Sequence, residues 1–75
     1  MHLLDIEQNI WVKVTGLEGG RNLADKLNQY GFFIGDRVRV LRRAPMGGPL
    51  LIEVDGREMA LGRGVAAKIK VETVV

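Results

Sequence analysis

A chain of 75 residues makes one domain, 1–75, with a modest core, because so short a chain buries only about 60–65% of the surface it exposes when unfolded. There is no cysteine, which excludes disulfides, thiolate metal sites and thiol catalysis and suits a reducing, cytoplasmic location. Hydrophobic residues at 47% and charged residues at 27% exclude disorder, and a net charge of +2 is too weak by itself to imply nucleic acid.

In chain order, residues Met1 to Val12 have no basic start followed by an apolar block, so no signal peptide is expected. The one histidine, His2, is expected to fray with the terminus. No apolar run approaches the roughly 20 residues that cross a bilayer, so a soluble protein without membrane insertion is expected. Ile10, Val12 and Val14 then alternate with Trp11, Lys13 and Thr15, the period of a half-buried strand. Gly16, Gly19 and Gly20 end it. Asn22 reads as a helix N-cap, Leu23, Leu27 and Tyr30 as one apolar stripe, and Gly31 as the left-handed residue that closes the helix.

A second strand is expected over Arg37 to Arg43, with Val38 and Val40 inward. Pro45-Met46-Gly47-Gly48-Pro49 reads as a loop, since proline cannot donate to a ladder. A third strand runs Leu50 to Val54, and a fourth Arg57 to Leu61 across a two-residue Asp55-Gly56 turn. A helical turn over 63–67 and a last strand at Ile69-Lys70-Val71 complete the chain. The hairpin pairs Ile52 with Met59 and Leu50 with Leu61, and sets Glu53 against Glu58 unless an arginine intervenes. Placing Val40 against Val54 sets Val38 against Gly56 and Arg39 against Asp55. The result is a mainly β, SH3-like five-stranded barrel with one short inserted helix, closed so that no edge is left exposed. Its expected core is Leu23, Leu27, Val38, Val40, Ile52, Val54, Leu61, Ile69 and Val71.

Catalysis finds little support. No serine is present, the threonines have no base nearby in sequence, and Asp36, Glu53, Asp55 and Glu58 are scattered on strand ends and outer faces. Gly16 to Arg21 lacks the lysine-serine/threonine ending of a phosphate loop. Without cysteine and with one histidine, no metal site or cofactor is expected. Arg37, Arg39, Arg42 and Arg43 form the densest charge cluster, but no aromatic interleaves them, so a solvated strand face is favoured over nucleic acid. Surface contacts are therefore sought at Trp11, Phe33, Arg42, Arg43, Pro45, Met46, Gly47, Gly48 and Pro49. Trp11 lies out of phase with Val12, Met46 tops a loop, and Phe32 and Phe33 are too bulky for both to fit one small core.

The order Gly19-Gly20, Leu23, Leu27, Tyr30-Gly31-Phe32, Gly35-Asp36, Val38 and Val40 resembles the FeoA family. So does the continuation Pro45-Met46-Gly47-Gly48-Pro49, Val54, Gly56, Ala60-Leu61, Ala66, Ile69 and Val71, and the likeness spans about Leu3 to Glu72. Asn9 stands where a turn glycine is common, and Gly62 and Val65 where the family often carries arginine and glutamate. The resemblance implies a non-enzymatic cytoplasmic accessory protein of ferrous iron transport. Its partner would be FeoB, the membrane transporter with a GTPase domain, which it would bind and modulate. The alternatives are a nucleic-acid-binding barrel, or a regulatory domain like the C-terminal barrel of metal-dependent repressors. Weak self-association through strand edges is a further expectation.

Overall fold

The structure, a computed structural model, describes residues 1–74; Val75, the last residue of the expected domain, lies outside them. A 3-10 turn at Leu3–Asp5 precedes β1 (Val12–Leu17), α1 (Gly20–Gln29), β2 (Arg37–Arg43), β3 (Leu50–Val54), β4 (Arg57–Leu61), α2 (Arg63–Ala66) and β5 (Ile69–Thr73). Every strand pair is antiparallel, in the spatial order β4-β3-β2-β1-β5. The mainly β architecture with one inserted helix and a late helical turn is the one the sequence predicts.

Strand alternation builds the core. Val12 and Val14, Val38 and Val40, Leu50, Ile52 and Val54, and Ile69 and Val71 turn to one face and are buried. Fully burying each such side chain is worth about 1.5–3 kcal/mol, so a one-residue slip of any strand would forfeit its whole contribution. Leu27 closes the core from α1. Leu23 packs on its margin, half-buried.

The β3–β4 hairpin is as expected. Asp55 at φ 52 and Gly56 at φ 72 are both left-handed, the requirement of a type I′ turn, and Ile52 pairs with Met59 and Leu50 with Leu61. The β2–β3 register differs from expectation by two residues. Val38 faces Val54, Arg39 faces Glu53 and Val40 faces Ile52, with an irregularity between Val40 and Arg42. A slip of two keeps every side chain on its face, so the hydrophobic pattern could not choose between the registers.

α1 begins earlier than expected, at Gly20 with Gly19 rather than Asn22 as its N-cap. Gly19 sits at φ 134, and a Cβ there would meet Leu23 Cδ2 at 2.8 Å, so glycine is what lets the strand turn into the helix. Tyr30 leaves the expected apolar stripe and is exposed, being already the C-cap. Phe32 takes the buried place instead, its N–H bonded to the Leu27 carbonyl at 2.9 Å.

The amino terminus is not frayed. Leu3 and Ile6 are core residues, Val71 N–H donates to the Met1 carbonyl at 2.8 Å, and His2 bridges Lys70. Beyond it, Asn9 at φ 65 breaks the alternation, so Ile10 falls outside β1 and is exposed rather than aligned with Val12. Nor does the ladder close. β4 and β5 are the two ends of the sheet, and Met1 and His2 cover the outer side of β5. Among the described residues no backbone group bonds the outer side of β4.

Candidate functional site

The expected surface residues fall into two groups separated by the length of β2, about 20 Å at ~3.3 Å per residue. At its start, Trp11 and Phe33 are both exposed, while Phe32 is buried, which settles which phenylalanine the core takes. Phe33 N–H donates to Asp36 Oδ2 at 2.8 Å, a short turn that presents the ring outward. Trp11, Gly35, Asp36, Arg37 and Asp55 border an open hollow of about 630 Å³.

Arg39 lies with its guanidinium 4.9 Å from the Trp11 ring centroid. An aromatic therefore does sit among the arginines. The cation is nonetheless held by Glu53, with Nη2 at 2.7 Å and Nε at 2.8 Å from Oε1, not by Asp55 as expected. That follows from the two-residue difference in register, and it also places a positive charge beside the Glu53–Glu58 pair.

At the other end of β2, Ala44 N–H bonds the Pro49 carbonyl at 3.0 Å and Gly48 N–H bonds the Pro45 carbonyl at 3.2 Å. These close the β2–β3 loop into a tight apex. Met46 and Gly47 form its tip at φ 60 and φ 74. A Cβ on Gly48 would strike the Ala44 Cβ at 2.7 Å, so glycine is required there. Met46 projects fully, with relative exposure of 102%. A non-glycine residue in the left-handed region, held by two backbone bonds, is the kind of local strain that clusters at functional sites.

Arg42 is exposed beside this apex. Arg43 is not available in the same way. Its Nη2 donates to the carbonyls of Leu4 and Ile6, and its Nη1 is buried. Arg43 thus clamps the amino-terminal segment, because β2 turns this side chain under the chain start.

A further feature was not legible beforehand. Leu23, Lys26 and Leu27 of α1, with Tyr30 at its C-cap, face Met59 and Ala60 of β4 across an apolar groove of about 390 Å³. Its existence depends on β4 ending the sheet, which only the long-range strand order decides. Among the described residues, no three histidine, aspartate or glutamate side chains converge as metal ligands. No helix among them is long and apolar enough to cross a membrane.

The FeoA domain family model matches residues 1–73. A protein of Methanocaldococcus jannaschii named as an Fe(2+) transport protein A is 36% identical over 61 residues, covering 81% of this chain and 72% of that protein. Iron(II) transport protein A of Clostridium thermocellum superposes with a TM-score of 0.90 at 28% identity; 99% of this chain is covered, and it spans 46% of that one. FeoA of Stenotrophomonas maltophilia, described as a procaryotic SH3 domain protein and crystallised with zinc, has a TM-score of 0.79 and 26% identity, covering 96% of this chain and 89% of that one.

Proposed function

Because the chain belongs to the FeoA domain family, we propose that it is a cytoplasmic accessory protein that binds FeoB, the ferrous iron transporter, and modulates its GTPase cycle through the Ala44–Pro49 apex. Iron is the cargo of the transport system in this reading, and the chain acts by contact rather than by chemistry. The observation that carries it is Met46, an adaptable apolar side chain held out at φ 60 on a loop tied by two backbone bonds. Preorganisation lowers the ordering cost of binding, and the flanking Pro45 and Pro49 lower it further. Arg42 adds a cation beside the apex that suits an acidic surface on the partner.

Pull-down on full-length FeoB tests this. Wild-type protein is expected to be retained, and Met46→Asp to lose at least about 30-fold in affinity, the loss of a central hot spot. Absence of binding to the full-length transporter, or unchanged binding by M46D, would overturn the assignment.

A further inference from the structure

The two ends of the sheet are treated differently by the chain. Met1 and His2 lie along β5 and satisfy part of its outer side, whereas β4 has no such cover. The Asp55-Gly56 turn makes Val54 and Arg57 the first hydrogen-bonded pair of the hairpin, and alternation makes Ile52–Met59 and Leu50–Leu61 the next ones. The N–H and C=O groups of Glu58 and Ala60 therefore point away from β3, into the space beside the sheet. Among the described residues nothing bonds them. Glu58 and Ala60 are both exposed, and the alanine methyl leaves its own backbone open to approach.

The space beside this edge is shaped. The apolar groove between β4 and α1 runs along it, with Met59 and Leu61 on one wall and Leu23 and Leu27 on the other. A strand added to β4 would set alternate side chains down into this groove, where the inner face of the sheet continues. Lys26 is the charged side chain on the groove wall. Arg57 stands at the start of β4, where its guanidinium bonds the Tyr30 and Gly31 carbonyls at 3.0 Å, and Arg63 opens α2 just beyond the strand's end. Cations thus flank both ends of the edge, with Glu58 between them.

We propose that β4 is a docking edge for an extended segment of a partner protein, alternately aliphatic and carrying carboxylates at its ends, which adds as a sixth strand over the groove. Main-chain bonds to Glu58 and Ala60 hold it, aliphatic side chains fill the groove, and its end carboxylates meet the flanking cations. This edge is distinct from the Met46 apex, and the following test uses peptides alone, so its outcome is independent of transporter binding.

The probe is the acetylated, amidated heptapeptide Glu-Val-Thr-Val-Thr-Val-Glu, titrated into the full-length isotopically labelled protein. In the added strand its threonine amides face β4 and its valines face the groove. Saturable shifts along β4 and α1 are expected, with exchange of the Glu58 and Ala60 amides slowed by about tenfold or more on saturation. A peptide N-methylated at both threonines is expected not to bind, and one ending in lysines to bind several-fold more weakly at low salt. Arg63→Glu should weaken the glutamate-ended peptide while leaving thermal stability unchanged. Absence of saturable shifts, equal binding by the N-methylated peptide, or shifts without slowed exchange at Glu58 and Ala60 would overturn the proposal. So would concentration-dependent shifts in the free protein that mark β4 as a contact between two copies of this chain.

Discussion

At the residue scale, Gly31 and Arg57 form a small coupled device. Gly31 lies at φ 81, and a Cβ there would come within 2.7 Å of Arg57 Nη2, which donates to the Gly31 carbonyl while Nη1 donates to that of Tyr30. Gly56 is also left-handed, at φ 72, but a Cβ there meets nothing within 4 Å. Alanine at either site carries a conformational cost of about 1–2 kcal/mol. Gly31→Ala should cost more, because it also displaces the arginine from the end of α1. Urea unfolding of the two variants, each with and without Arg57→Ala, reads this directly: the gap between them should close when Arg57 is absent. The Trp11–Arg39 contact is similar in kind. A W11A/R39A double-mutant cycle should give a coupling of about 0.5–1 kcal/mol, and no coupling would mean that the ring and the guanidinium act separately.

Among the elements, the amino-terminal segment is tied into the core, with Leu3 and Ile6 buried and Met1 bonded to β5. Leu3→Ala should cost about 2–5 kcal/mol, as for a buried leucine, whereas Ile10→Ala should stay within about 0.5 kcal/mol. Thermal or urea denaturation would show the reverse ranking if Met1–Ile6 were a loose tail. Arg43→Ala should loosen the same segment, read as faster amide exchange at Ile6 and at Val71, whose N–H bonds the Met1 carbonyl. What the sequence made legible follows from which forces are local. The β3–β4 hairpin was readable because Asp55-Gly56 dictates its own turn and hence the register. The β2–β3 register was not, because a period of two cannot tell Val40–Ile52 from Val40–Val54 and the irregularity at Leu41 leaves no local signal. Leu3 carries no local signal, because a three-residue turn has no periodicity and its burial depends on β5 and α2 arriving from the far end of the chain. The exposed face of Trp11 and the apex at Met46 were readable from phase and from proline punctuation. The inward turn of Arg43 was not, since its partners are backbone carbonyls nearly forty residues upstream.

On the scale of the whole molecule, the chain is fastened through its ends. β5 pairs with β1 from Val12–Thr73 to Leu17–Ile69, and the amino terminus lies against β5 in turn. Truncation before Ile69 should therefore abolish cooperative folding, seen as loss of the thermal transition by circular dichroism, rather than merely shorten the sheet. The Met46 apex and the outer side of β4 lie outside this fastening, and they are the two features for which contact with other proteins is proposed. The apex carries the central claim, and amide exchange of this protein bound to full-length FeoB tests it most directly. Ala44, Met46, Gly47 and Gly48 are expected to gain protection in the complex, and M46D to abolish the gain. Unchanged exchange at these four amides in a demonstrably formed complex would contradict it.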